Sequence, residues 1–442
     1  MTCPVENSMP GSSDRSDRLR ERGGQAMRSW IMRSWIMRSW IMRSWTFAAV
    51  LAAALVATAS HAQTPQRPLK IGVLTDMTGI LSSALGPGSV DGARMAIEDF
   101  GGNMFGRPIE LVVGDHQNKP DIGSGLTRRW FDEGGVDVIV DIGNSAVALA
   151  VRELVQSKNR IALYVGASSA DLTGKACSPN TAQWSHDTYL FANALPAELM
   201  RQGKKKWFLI VQDWAFGHAL QRDVGKVVTD GGGQVMDSVR HPPGTLDYSS
   251  MLLRAQASGA DVIAFLSAGQ DLSNMIKQAS EFGLAGSAQQ LVAPAFLLSD
   301  AHGLGPQMAQ GIVFSTVWYW NLNPEARAWS ERFFARNRFM PTEAHAGTYS
   351  AVSHYLKAVS AAGTSRHDAV MARMHDMPVN DFYTRNARLR PDGRLMRTAY
   401  LAQMKTPAQS REPWDYYTIL SEVPAERAFR PESEQACSLP AR

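Results

Sequence analysis

Residues 136–169 read VDVIVDIGNSAVALAVRELVQSKNRIALYVGASS. Val136–Ile142 is a Val/Ile run broken only by acids, the pattern of a mostly buried strand. Gly143-Asn144-Ser145 follows as a turn whose Asn or Ser can cap a helix. Val147, Val151, Leu154 and Val155 then recur at i, i+4, i+7 and i+8, one apolar helix stripe, with Arg152, Glu153 and Lys158 falling elsewhere. Lys158-Asn159-Arg160 ends that helix, Ile161–Val165 starts a second strand, and Gly166-Ala167-Ser168-Ser169 is a turn of small residues. Strand, helix and strand in so short a span form a βαβ unit with parallel strands. Both turns lie just after strands, so both fall at one edge of one sheet. Open α/β sheets hold ligands at that edge, where loop amides and helix N-termini offer hydrogen bonds. Ser145 and Ser168 are the leading candidate ligand contacts.

Outward from this unit the alternation continues. Leu69–Leu74 is a strand, Asp76–Gly88 a glycine-rich loop, and a helix capped by Ser89 carries Ala93, Ala96, Ile97 and Phe100 on one face. Ile109–Val113 is a strand and Pro120–Glu133 a helix, which completes a doubly wound α/β unit. Ala170–Ala182 is irregular, and Trp184–Arg201 is a helix or a crossing segment. A second series then follows: strands at Lys206–Val211, Gln234–Val239, Asp261–Leu266, Leu291–Phe296 and Gly311–Val317, with helices at Ala219–Thr229, Tyr248–Ser258 and Asp271–Phe282. Two lobes of similar plan suggest a cleft between them. The remaining chain is helical at Pro324–Phe339, His345–Ala362 and His367–Met377. Pro391-Asp392-Gly393 turns between two short strands, and strands at Tyr400–Met404 and Tyr416–Leu420 complete it.

The first 62 of the 442 residues stand apart. Residues 27–45 repeat Met-Arg-Ser-Trp four times, a period that matches no solenoid or coiled coil. Translation from Met42 would place Arg43 as a cationic start, Phe47–Ala59 as an apolar stretch too short to span a bilayer, and Ser60-His61-Ala62 as a cleavage site. Export to the periplasm with cleavage near Ala62 and no lipid anchor is the expectation. Residues 1–62 hold eight Arg and four acids, so the rest carries 37 basic and 37 acidic residues. The basic balance belongs to the leader and gives no support for nucleic-acid binding or for membrane insertion after cleavage. Cys177 and Cys437 remain, an even number in an exported chain. A disulfide tying the tail to the first lobe is favoured, with two free thiols as the alternative.

The order of pieces resembles the periplasmic solute-binding proteins of ABC importers, in the branched-chain amino-acid (Leu/Ile/Val-binding) group. The words that carry the resemblance are Ile71-Gly72-Val73-Leu74 with Met77-Thr78-Gly79; Gly92–Asp99 (GARMAIED); Asp171-Leu172-Thr173; Asp213–Gly217 (DWAFG); and Lys277-Gln278-Ala279. Their order and spacing span nearly all of residues 69–430. The resemblance implies a type I fold: two doubly wound α/β lobes joined by a three-strand hinge and closing on a small molecule. Its bounds here are residues 69–187 plus about 318–386 for one lobe, and 188–317 plus about 387–442 for the other lobe and the tail. It implies a carboxylate held at Ser145 and at Ala167 and Ser168, with Asn144 in the same turn. An aromatic residue, Trp214 or Phe216, and a carboxylate near Asp300 that receives an ammonium complete the implied set. Ala268-Gly269-Gln270 stand where the family often has a Tyr, which weakens the case for an α-amino acid. Trp318, with Trp184, Tyr319 and Trp320, offers further apolar wall with hydrogen-bonding edges.

Each assignment has a plainer counterpart: Ser145 and Ser168 as caps or turn residues, Trp214, Phe216 and Trp318 as core, and Asp300 as a loop acid. Catalysis finds little support. There is no Gly-x-Ser-x-Gly elbow, no phosphate-binding Gly-x-x-x-x-Gly-Lys-Ser/Thr and no His-Glu-x-x-His, and nine His after the leader lack ligand spacing. The expected protein is a monomeric periplasmic binding protein without cofactor or metal. It passes a small organic ligand, an amino acid or a hydrophobic carboxylate, to an ABC permease. A ligand sensor on the same fold and an exported α/β enzyme are the alternatives.

Overall fold

The structure is a computed structural model that describes residues 67–284, 287–434 and 436–439. The leader, its repeat and the expected cleavage point lie outside the described residues. The body from Arg67 onward contains two parallel sheets.

The first series runs β1 (Leu69–Thr75), α1 (Gly86–Phe100), β2 (Asn103–Met104), β3 (Arg107–Asp115), α2 (Pro120–Asp132), β4 (Val138–Asp141), α3 (Ser145–Ser157), β5 (Ile161–Tyr164) and β6 (Thr181–Gln183). These strands form a six-stranded sheet in the order β2-β3-β1-β4-β5-β6, parallel except at the short β2–β3 hairpin. Every residue of β4 is buried, as a strand covered by helices on both faces must be. From β1 the chain steps first to β3 on one side and then to β4 on the other, so the strand order reverses between β1 and β4. The loops leaving β1 and β4 diverge there and open a crevice.

The second series begins with α4 (Thr188–Asn193) and α5 (Leu195–Arg201). It continues through β7 (Lys206–Gln212), α6 (Ala215–Asp230), β8 (Gln234–His241), α7 (Ser249–Ala257), β9 (Val262–Leu266), α8 (Gln270–Glu281), β10 (Gln290–Val292) and α9 (Leu298–Ala309). Its sheet has the order β10-β9-β7-β8, all parallel, with the reversal between β7 and β9.

The last part holds β11 (Val313–Thr316), α10 (Pro324–Asn337), α11 (Glu343–Ala362), α12 (His367–Asp376), β12 (Arg388–Leu389), β13 (Leu395–Met396), β14 (Ala399–Met404), β15 (Tyr417–Val423) and α13 (Ala425–Ala428). Strands β11, β14 and β15 form an antiparallel sheet, and β12–β13 form the hairpin expected around Pro391-Asp392-Gly393. The late helix α11 returns to lie on α1. Gly92 permits that approach, because a Cβ there would stand 2.5 Å from the carbonyl oxygen of His345.

The chain departs from the sequence reading at several places. Ser89 caps nothing: α1 starts at Gly86, and Ser89 is buried one turn inside it. The stretch expected to be irregular contains a 3-10 turn at Ala170–Thr173 and the strand β6. The strand expected over Leu291–Phe296 stops at Val292, and α9 follows where no helix was expected. Trp184–Arg201 divides into a crossing segment and two short helices.

Cys177 and Cys437 are bonded, with Cα atoms 5.6 Å apart across 260 residues. The favoured pairing therefore holds. The segments that pass between the sheets carry buried charge. Arg394 is fully buried, 3.3 Å from Asp187, and Gln183 bridges to Arg394 beside it.

Candidate functional site

At the end of β4 the chain turns sharply, with Asp141 and Ile142 at φ of 77° and 50°. Gly143 comes next, where a Cβ would lie 2.1 Å from Leu85. Only glycine lets the β1 loop close over this turn. Asn144 caps α3: its Oδ1 accepts from the N–H of Ala146 at 2.8 Å and of Val147 at 3.2 Å. Ser145 Oγ accepts from the Ser169 N–H at 3.1 Å, which ties the two small-residue turns together. Ser168 Oγ donates to the Gly166 carbonyl at 3.1 Å, and Gln183 holds the second turn from below through Ala167 O at 2.9 Å. Among the described residues, no protein group accepts from the backbone N–H of Ser145 or of Ser168. These donors sit at the start of α3 and in the neighbouring turn, where the helix dipole favours an anion.

A cavity lies against these turns, with about 540 Å³ of empty space, part of it open to solvent. The first sheet supplies Leu81, Ala84 and Leu85 from the β1 loop, Gly143, Asn144 and Ser145 after β4, and Gly166 and Ser168 after β5. Opposite stand Trp214 and Phe216 after β7, Ala268 after β9, and Ala295 and Leu297 ahead of α9. His186 and Phe191 enter from the crossing segment and α4, and Ala344 enters from α11. Each sheet thus presents the point where its strand order reverses to the same gap.

The wall opposite these turns is aromatic and continuous. His186 and Phe191 rings are 4.7 Å apart, Phe191 meets Phe216 edge-on at 6.4 Å, and Phe216 meets Trp214 edge-on at 6.4 Å. The Trp214 indole Nε1 is buried without a hydrogen-bond partner. A buried indole N–H normally finds an acceptor, and this one stands on a residue that lines the cavity.

The β1 loop that forms the cavity roof is pinned from α11. The Thr342 hydroxyl donates to Ala84 O at 2.8 Å, and His345 Nε2 bonds Leu85 O at 2.9 Å. Burial pushes the His345 imidazole down to about 3, so it stays neutral as a structural tie. Below the turn, burial raises the Asp141 carboxyl to about 6, although nearby Thr75 and Ser89 hydroxyls pull the other way. Neither of its oxygens meets hydrogen-bond geometry with them.

Of the residues singled out from the sequence, Asn144, Ser145, Ser168, Trp214 and Phe216 line this one cavity. Ala167 lies between Gly166 and Ser168, buried, with its carbonyl turned to Gln183. Asp300 is not with them. It sits on the first turn of α9, where its carboxylate accepts from Leu297 N at 2.9 Å and Ser273 Oγ at 2.8 Å. Burial raises its carboxyl to about 7. A helix-capping acid so engaged is not placed to receive an ammonium from the cavity. Trp318 is buried in a separate, smaller cavity with Phe296, Tyr319 and Tyr417. Sequence reasoning missed His186, Phe191 and the β1-loop leucines. His186 stands three residues after β6, at the exit of a strand too short to show a pattern.

No described residue lining the cavity is Asp, Glu, Lys or Arg, and His186 is its one ionisable side chain. No group of three or more His, Cys, Asp or Glu among the described residues could hold a metal ion. No described helix is long and apolar enough to cross a membrane.

Two parallel sheets that turn their reversal points to a shared, solvent-accessible gap define a ligand-binding protein of the two-lobed type. The chain matches the periplasmic binding protein family over residues 68–410 and belongs to it. Among solved structures it is similar to a periplasmic binding protein from Burkholderia mallei: 40% identity, 84% of this chain, 99% of the other, TM-score 0.82. It is also similar to a branched-chain amino acid ABC transporter periplasmic ligand-binding protein from Burkholderia xenovorans LB400, with 38% identity, the same coverage and a TM-score of 0.76. The Leu/Ile/Val-binding protein homolog 6 of Brucella abortus (strain 2308) is 26% identical over 241 residues, 54% of this chain. That match spans 61% of the Brucella protein's own length. The fold is the type I periplasmic-binding fold, and family membership implies a periplasmic location.

Proposed function

We propose that this protein is an extracytoplasmic solute-binding protein that captures a hydrophobic or aromatic carboxylate and delivers it to an ABC-type permease. It does so as a monomer and without catalysis, after removal of the leader near Ala62. One observation carries the ligand class: the cavity offers N–H donors at the start of α3 but no lining carboxylate. A ligand carboxylate has partners there. An α-ammonium has no counter-charge, and burying an unpaired cation is costly. The aromatic string from His186 to Trp214 suits a flat or branched apolar body.

The proposed lobes are residues 69–187 with about 318–386, and 188–317 with about 387–442. The packing of α11 on α1 and of α4 on α6 supports this division. Ligand contacts made from both sides favour the closed arrangement, because only that arrangement supplies both sets at once. The xenovorans neighbour is named for branched-chain amino acids. That provenance favours an amino-acid ligand as the second reading.

Calorimetric titration with benzoate, 4-methylpentanoate, leucine and benzamide tests the choice. The two acids without an amino group are expected to bind at least about tenfold tighter than leucine, since an unpaired buried charge costs more than 1.4 kcal/mol. Leucine binding tighter than both acids would give the site to amino acids.

A further inference from the structure

We propose that His186 is the charged contact for the ligand's carboxylate, delivered from the crossing segment that leaves β6. The inference rests on the carboxylate reading above and adds the residue that neutralises the anion.

His186 is almost fully buried and lines the cavity beside Phe191. Its Nδ1 is held by Glu343 of α11 in a short hydrogen bond, and Ser185 Oγ lies 3.4 Å from the same nitrogen. Glu343 is itself buried, and its other oxygen is engaged by the Thr316 hydroxyl and by the Val317 N–H at 2.8 Å. A carboxylate that accepts from three groups is kept in its ionised form. Burial alone would push the Glu343 carboxyl up, but the His186 charge and these hydrogen bonds outweigh it, and the net direction is down. An ionised Glu343 fixes the proton of the ring on Nδ1 and sets the ring's orientation.

The other ring nitrogen, Nε2, has no hydrogen-bond partner among the described residues. A polar nitrogen without a protein partner that is not sealed off, on a residue lining an otherwise uncharged cavity, is a group held ready for a ligand. With an anion in the cavity, the ring lies between two carboxylates, its Nδ1–H donating to Glu343 and its Nε2–H to the ligand. The other buried charges near this segment do not line the cavity, although Arg397 Nε and Nη1 also lack a hydrogen-bond partner among the described residues. Asp187 pairs with Arg394, which also reaches Ser185 O, and Arg397 donates to Val317 O and Tyr383 O. His186 contacts the ligand, and Glu343 is a positioning residue that acts through it.

The placement has a mechanical consequence. His186 is on a crossing segment, and Glu343 heads the helix that lies on α1. An anion on Nε2 therefore bears on the tie between the crossing segment and α11 without using a lobe-two residue.

The test measures benzoate and benzamide affinities by calorimetry for the wild type, His186→Gln and Glu343→Gln, each checked for native melting. Benzamide has the same ring without the charge. His186→Gln is expected to weaken benzoate by about tenfold or more, the worth of one charge-assisted hydrogen bond, and benzamide by less than about threefold. Glu343→Gln is expected to lower the same benzoate-to-benzamide ratio, by less. An unchanged ratio in His186→Gln, with the wild type still preferring benzoate, overturns the His186 assignment and leaves the carboxylate reading intact. A wild type that does not prefer benzoate overturns both. Should the variants fail to fold, a crystal structure of the wild type with benzoate decides. A carboxylate oxygen about 3 Å from Nε2 supports the assignment, and a carboxylate beyond hydrogen-bond reach overturns it.

Discussion

The carboxyl-end edges of the two sheets face the same cavity with different chemistry. The first-sheet edge is made of small residues, a capping Asn and two Ser, with backbone N–H groups left open and the loops tied to one another by hydrogen bonds. The second-sheet edge is made of Trp214, Phe216, Ala268 and Ala295, whose side chains offer one polar atom, the Trp214 indole nitrogen. The same doubly wound plan thus gives a polar, pre-tied cradle on one side and an apolar cover on the other. Polar groups set orientation through directional bonds, whereas rings supply area with little rotamer entropy to lose. In the proposed function a ligand with one charged end and one apolar body turns its charge toward the first-sheet edge.

The largest effect expected from breaking this contrast is at the cover. Trp214→Ala should weaken binding of benzoate and benzamide alike by roughly 2–4 kcal/mol, the apolar area plus an orphaned acceptor. Calorimetry would show it, and selective loss of the acid alone would contradict it. On the cradle, Ser145→Ala and Ser168→Ala should each cost roughly 1–3 kcal/mol for the acid while the melting temperature holds. Unchanged affinity in both would remove the hydroxyls from the site.

Beneath the cradle, Asp141 sharpens the comparison through pH. Its folded value of about 6 lies above the ordinary aspartate value, so the native state binds a proton more tightly than the unfolded chain. Its contribution is present below about pH 4 and is lost as pH rises through about 6. Asp141→Asn should remove that loss and raise stability at pH 7, relative to the wild type, by of order 1–3 kcal/mol. Denaturant titrations at pH 4 and pH 7 read it; equal differences at both would refute the assignment. The smallest effect is expected at Asp300→Asn: ligand affinity within about 0.5 kcal/mol of wild type, as for any site away from the ligand. A larger loss would return Asp300 to the site.

Much of the cradle was legible because it is local. Strand, turn, helix and strand follow within residues 136–169, and the cap, the stripe and the small-residue turns each leave a short-range signature. Trp214 and Phe216, which line the cavity just after β7, were named through the family resemblance rather than from a local pattern. Asp300 was named through the family resemblance, with a loop acid as the alternative, whereas the chain forms α9 there and uses the carboxylate as its cap. Trp318 faces its own small cavity, a distinction that aromatic content cannot make.

By itself the sequence determined the alternation of strands and helices, the edge at which the turns gather and the repetition of the plan, since all three follow from periodicities over a few residues. Only the tertiary structure decided that α11 returns to α1, that Cys177 meets Cys437, and that His186 and Glu343, 157 residues apart, are hydrogen-bonded beside the cavity. Those contacts depend on how the crossing segments pass between the sheets. That path is set by the packing of whole layers and leaves no mark in any short stretch of the chain.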